Sequence, residues 1–258
     1  MLSTVILDAY TFDRAKEVAE AIDAVCPPEG GGAFGPGGLY AFWDPDSREL
    51  FYVGIALDLG IRFRQHNGLV SAPPEGCKVD RIRSWFEKHE LLGYSILPMS
   101  PLDEASTVRS RRPYRDDLRA RQALEDLSEL TNVEVRDAEG KLLQAHIDRH
   151  DSLPPWNSIG GSKVGAKEAT PDTAPMLDFL RARYRHALTA KRQIRELAAD
   201  AEAARWENLL HVARYEMLMR NGGGSDELLR AEVERWAEHE DWTGAADFRE
   251  LLASGYLG

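Results

Sequence analysis

Apolar side chains recur at helical spacing in Phe12, Ala15, Val18, Ala19 and Ile22, so residues 12–25 predict an amphipathic helix, ended by Pro27-Pro28 and a glycine-rich stretch. From Gly38 the period changes. Two aromatic and aliphatic runs, GLYAFW and ELFYVGI, flank Asp44-Pro45-Asp46-Ser47 and predict a β-hairpin. A turn centred near Asp46 sets Tyr40 opposite Tyr52. Asp58 is a good N-cap for a helix reaching Asn67, with Leu59 and Phe63 on its apolar face, Arg62 and His66 one turn apart, and Gly68 as the stop. A second helix is predicted over Val79–Glu90, a short strand over Gly93–Leu97, a helical stretch over Tyr114–Leu130, and another helix over Lys141–Asp151.

Residues 158–175 are small, polar and contain two prolines, which is linker composition. Beyond them, Met176–Arg220 holds neither glycine nor proline and predicts one long helix, interrupted in its apolar register by Lys191, Arg205 and Asn208. Asn221-Gly222-Gly223-Gly224 turns the chain, Ser225 caps a helix over Asp226–His239, and a last helix runs over Thr243–Ala253. Trp206, Trp236 and Trp242 fall at helical core positions. The expected class is α/β (α+β): a small three-stranded antiparallel sheet flanked by helices over 1–160, a linker over 161–175, and an all-helical domain over 176–258.

Composition narrows the setting. Across 258 residues, 43% are hydrophobic and no apolar run approaches the roughly 20 residues that span a bilayer. Met1–Tyr10 lacks a basic start and carries an acid, unlike a signal peptide, so a cytoplasmic protein without a membrane partner is expected. Cys26 and Cys77 are too few for a disulfide framework or a cysteine-built zinc site. The net charge of -11 argues against a polyanionic partner until it is divided along the chain. Residues 60–121 hold 12 basic against 8 acidic side chains, so a phosphate-bearing substrate stays open.

That basic stretch follows a constellation with its own chemistry. The hairpin carries Gly38-Leu39-Tyr40 on one strand and Tyr52-Val53-Gly54 on the other; Leu59, Arg62 and His66 follow on the next helix; and Pro154-Pro155-Trp156-Asn157 closes the region. These residues resemble the GIY-YIG nuclease family, with good correspondence over 38–66, fair over 142–157 and none elsewhere. The resemblance implies a metal-dependent endonuclease that hydrolyses DNA phosphodiester bonds. A planar guanidinium stabilises the charge that builds on the phosphate oxygens, which suits Arg62. A tyrosine with its pKa lowered by a cation or metal can take the proton of the attacking water, with Tyr40 first, Tyr52 sharing, and His66 in support. Asn157 braces the site. Arg64, Arg109, Arg111, Arg112 and Arg115 are candidates for substrate phosphates.

The family's last helix bears a glutamate for magnesium or manganese (Mg2+ or Mn2+); its usual interval back from Asn157 lands on Ala145, and one extra residue places Gln144 there. An uncharged amide binds a divalent ion weakly, so three readings follow: a deliberately inactivated form, a natural binding-only member, or an enzyme using Glu139, Glu125 or Asp148 instead. A non-cleaving nucleic-acid-binding or assembly module is thus the alternative, as is a phosphodiesterase acting on RNA or a small molecule. A double-strand cut needs two sites or two binding events, and a homodimer through the C-terminal helices would supply the two sites. His146 and His150 lie one turn apart, with no third ligand at a metal-binding spacing.

Overall fold

The computed structural model describes residues 2–28, 33–72, 77–100, 135–181, 186–239 and 244–257. Arg109, Arg111, Arg112, Arg115, Glu125, Trp242 and the helical stretch expected over Tyr114–Leu130 lie outside the described residues.

Four antiparallel strands, β1 (Ile6–Tyr10), β2 (Gly38–Trp43), β3 (Leu50–Ala56) and β4 (Leu92–Pro98), form one sheet in the order β1-β4-β2-β3. The expected three strands become four because β1 pairs with β4. What hides β1 in the sequence is Asp8, an acid in an apolar run. It is 1% exposed, and Arg195 neutralises it at 2.8 Å from the far end of the chain.

The hairpin register also differs from the expected one. Asp44 accepts from the Asp46 N–H and the Ser47 hydroxyl, and Arg48 takes a left-handed φ of 66°. The ladder then slips between Phe42 and Trp43. Tyr40 therefore lies opposite Gly54 and Tyr52 opposite Phe42, so the two tyrosines are diagonal neighbours.

Helices cover both faces of the sheet. One face presents Tyr40, Phe42, Tyr52, Tyr94 and Ile96 to Val18 and Ile22 of α1 (Ala15–Val25) and to Leu59 and Phe63 of α2 (Leu59–His66). Asp58 caps α2 as expected, accepting from the Ile61 N–H at 2.8 Å. The short α3 (Val79–Phe86) follows, ending before the expected Glu90. The other face presents Leu39, Ala41, Val53 and Leu97 to Leu142, Leu143 and Ala145 of α4, residues 135–150.

The stretch with linker composition packs on α4. It contains α5 (Lys163–Lys167), Ser162 donates to Asp137 at 2.6 Å, and Glu168 pairs with Lys141 at 2.8 Å. The single long helix expected over Met176–Arg220 is instead α6 (Ala174–Phe179), α7 (Ile194–Ala199) and α8 (Ala201–Asn221). One long-range pairing and one local cap break it. Thr189 forms an isolated parallel bridge with Val5, and Asp200 turns extended to cap α8, accepting from the Glu202 and Ala203 N–H groups. Dimerisation through one long helix loses its basis. The helices α9 (Asp226–Ala237) and α10 (Ala245–Ala253) close a third apolar cluster around Trp206, Leu210, Met217, Val233 and Phe248. Among the described residues no helix is long and apolar enough to cross a membrane.

Candidate active site

Strand alternation puts Tyr40 and Tyr52 on the α2 face, and the α2 period puts Arg62 and His66 above them. His66 is fully buried. Its Nδ1 accepts the Lys78 main-chain N–H at 3.0 Å, which leaves the ring proton of the neutral imidazole on Nε2. Nε2 lies 2.7 Å from the Tyr40 hydroxyl and donates to it. Burial first, then the charges of Arg62 and Lys78, push the His66 pKa down to about 3, so the ring stays neutral and keeps this tautomer.

Arg62 Nε donates to the same Tyr40 oxygen at 3.2 Å, and Arg62 Nη1 donates to Gln65 at 3.1 Å. With two donors on its oxygen, Tyr40 directs its own proton to its hydrogen-bonded neighbour, Tyr52. The result is a one-way donor chain, His66 to Tyr40 to Tyr52. Gly54 makes room for it: a Cβ there would stand 2.8 Å from both hydroxyl oxygens. Tyr40 is 1% exposed and Tyr52 9%. Burial, then Tyr52, holds the Tyr40 hydroxyl well above the usual tyrosine range, against Arg62, which lowers it. For Tyr52 burial is again the leading cause of a raised pKa, opposed by the Tyr40 hydrogen bond and by Arg62. The cation expected to lower the tyrosine pKa is present and is outweighed by desolvation.

The remaining candidates divide. Asn157 braces the site through the sheet edge: its side-chain oxygen accepts the Val53 N–H at 3.0 Å and its amide donates to the Val53 carbonyl at 2.8 Å. The edge strand β3 is thereby closed next to Tyr52 and Gly54, and Trp156 adds a stack on Phe51 at 4.9 Å. Arg64 does not join the group. Two residues past Arg62 and about 200° around the helix, it makes a two-pronged pair with Asp23 of α1 at 2.8 and 3.0 Å. Gln144 does not join it either; its amide donates to Asp148, one turn along α4, at 2.7 Å.

Glu139, in α4, is linked to the site through its charge. Its charge acts on Tyr52, raising that pKa further, and its own pKa is raised to about 7 by burial, against the opposing charge of Arg136. Five residues separate it from Gln144, about 140° around the helix, so the two side chains face different neighbours. The His146 and His150 rings lie 4.5 Å apart, tilted by 41°, with His146 Nδ1 donating to the Ser152 carbonyl at 2.7 Å. Among the described residues no three His, Cys, Asp or Glu side chains gather as a metal site.

Lys78 is the site residue that sequence reasoning missed. It follows His66 by twelve positions, and no spacing ties it to the hairpin. Compared with family models, with curated proteins and with solved structures, the chain has no match.

Proposed function

We propose that this site hydrolyses phosphodiester bonds of DNA in a metal-dependent reaction. The observation that carries the reading is the donor chain from His66 through Tyr40 to Tyr52 beside the half-buried Arg62. The resemblance to GIY-YIG nucleases supports it, because every member of this chain except Lys78 belongs to the quoted signatures. Arg62 places a planar cation where a phosphate would bring added negative charge. Tyr52 stands at the end of the chain and is the more exposed of the two tyrosines, so its phenolate, formed by release of its own proton to solvent, replaces Tyr40 as the preferred acceptor of the water proton.

A divalent ion needs a charged oxygen ligand near the reacting phosphate. Gln144, occupied by Asp148 and uncharged, does not fit; Glu139, whose charge acts on Tyr52, is the α4 carboxylate that would serve as a single oxygen donor to an ion that keeps several waters. Magnesium or manganese bound there would supply positive charge to the leaving oxygen. The binding-only reading is favoured by a different observation, the raised pKa of both tyrosines, which keeps their protons in place.

Nicking of supercoiled plasmid with magnesium or manganese separates these. The wild-type chain and Gln144→Glu cut at similar rates and Glu139→Gln does not cut. Tight DNA binding with no nicking by any of the three replaces the hydrolase with the binding module. One active site cuts one strand, so light scattering of the DNA complex tests the expected homodimer.

A further inference from the structure

An irregularity in the hairpin builds a second surface beside the site. Tyr52 pairs with Phe42 and Leu50 with Trp43, so Phe51 between them has no partner on β2, and as a bulge residue it packs on the same side as Tyr52. There its ring meets Trp156 at 4.9 Å and 25°, and its carbonyl accepts the Trp156 N–H at 2.8 Å. Phe51 also meets Trp85 of α3 edge-on at 4.7 Å, and the His89 ring stacks on Trp85 at 3.7 Å and 5°. Trp156, Phe51, Trp85 and His89 thus form one row of rings. It starts at the residues that precede Asn157 and Tyr52 and ends at the exposed His89. The Trp85 indole N–H donates to the Leu91 carbonyl at 2.9 Å, which fixes the ring that His89 covers.

Charge runs along the same face. Helical hydrogen bonds continue past the end of α3, with the Glu87 N–H reaching the Arg83 carbonyl at 3.1 Å and the His89 N–H reaching that of Trp85 at 3.0 Å. At about 100° per residue, Lys78, Arg81, Trp85, Lys88 and His89 share one stripe about 100° wide. The acids of this stretch, Asp80, Glu87 and Glu90, fall about 130–150° from the middle of that stripe. Arg81, Lys88 and His89 are exposed, and at the head of the stripe the Lys78 ammonium lies 4.7 Å from the centre of the Tyr52 ring.

Cations interleaved with stacked rings match the two constant features of a nucleic-acid strand, its phosphates and the flat faces of its bases. An acidic protein segment would match the charges and leave the rings nothing to stack on. A duplex keeps its base faces for its own stacking. Building on the reading of the site as one that acts on DNA, we propose that this face of α3 binds an unpaired DNA strand. Arg81 and Lys88 hold its phosphates, and a base stacks on the His89 end of the ring row. A strand lying along the stripe is led from His89 toward Lys78 and Tyr52.

The test reads binding without divalent ions, so it does not depend on cleavage. Fluorescence anisotropy of a labelled oligo-dT, and of a duplex of equal length, is followed against salt for four proteins: the wild type, the double variant Arg81→Gln with Lys88→Gln, His89→Ala, and His89→Phe. The substituted side chains are exposed, and thermal midpoints confirm that each variant folds. Loss of two phosphate contacts in the double variant lowers the slope of log affinity against log salt for oligo-dT by about 1.4. His89→Ala weakens oligo-dT by about fivefold or more at an unchanged slope, leaves the duplex as it was, and is rescued by His89→Phe.

No binding of oligo-dT by the wild type overturns the proposal, as does an unchanged slope in the double variant or an equal loss on oligo-dT and duplex in His89→Ala. Competition by poly-glutamate as strong as by oligo-dT at equal charge assigns the face to an acidic protein segment and also overturns it. Plasmid nicking by the wild type alongside any of these keeps the hydrolase and removes the strand site. Absence of nicking with the oligo-dT effects in place removes the hydrolase and keeps the strand site.

Discussion

Two buried histidines with the same depressed pKa serve opposite ends in this molecule. His211, in α8, is fully buried and pushed down to about 3 by burial and then by Arg214, much as His66 is. It sits in a closed group: Ser3 and Thr4 hydroxyls lie 3.0 Å from its Nδ1, and Arg214 pairs with Glu207 at 2.8 Å with neither side chain exposed. Glu207 also accepts from the Lys191 N–H and the Tyr256 hydroxyl, and Arg214 donates to Thr4 and to the carbonyls of Ala187 and Thr189. That group joins the N-terminal segment, residues 187–191, α8 and the C-terminus. At the sheet, the neighbour of Arg62 is a second cation, Lys78, and the hydroxyls form an open-ended chain. A polar group whose charges close on one another holds a fold. In the other, burial and then Arg62 push the Lys78 pKa down beside an open-ended row of hydroxyls.

Arg214→Met gives the largest expected effect. Removing one partner strands Glu207, and urea unfolding should show a loss of about 3–5 kcal/mol. A loss below 1 kcal/mol would erase the contrast between the two groups. Next, Arg62→Ala should cut the rate of plasmid nicking by about 10²–10³-fold while the urea midpoint stays put. A fall in midpoint comparable to that of Arg214→Met would make Arg62 a packing residue.

The pH dependence of stability tests what the two groups share. Both histidines hold a folded pKa of about 3 against an unfolded value of 6.5, so the unfolded chain takes up protons first as pH falls. Stability is fully present above 6.5 and declines toward 3, by about 1.4 kcal/mol per pH unit for each histidine. His66→Asn and His211→Asn should each remove one share of that slope, read from urea midpoints between pH 4 and 7. Equal slopes in wild type and both variants would show that neither ring is held neutral.

Glu139 runs the other way and is smaller. With its folded pKa raised to about 7, the folded state keeps its proton longer, and stability is lost as pH rises from 4.5 to 7. Glu139→Gln should therefore be more stable than wild type at pH 8, on the order of 1 kcal/mol after allowance for its partial exposure. Gln144→Ala, which removes a hydrogen bond to Asp148, should change neither stability nor nicking by more than about twofold.

Chemistry written in adjacent residues was legible before any coordinates. The hairpin, the Asp58 cap, the pairing of Arg62 with His66 on one helix face, and the Ser225 cap of α9 each depend on residues within one turn or one hairpin. Asn157 was legible as a brace, though not as a clamp on the Val53 edge. Periodicity and capping act over a few residues, so a linear reading contains all their terms.

Longer-range partners decided the rest. β1 exists as a buried strand because Arg195 neutralises Asp8, and the helix expected over Met176–Arg220 breaks where Val5 pairs with Thr189 and Asp200 caps α8. The ladder, irregular between Phe42 and Trp43, sets Tyr40 opposite Gly54, two positions from the expected Tyr52, and Gly54 leaves the space their hydroxyls share. The sequence by itself named the side chains expected to move protons and hold phosphate. Only the tertiary structure decided that burial raises both tyrosines, that Glu139 rather than Gln144 acts on Tyr52, and that Lys78 joins Arg62. Desolvation and charge coupling depend on what packs around a group, and those neighbours come from elements far apart in the chain.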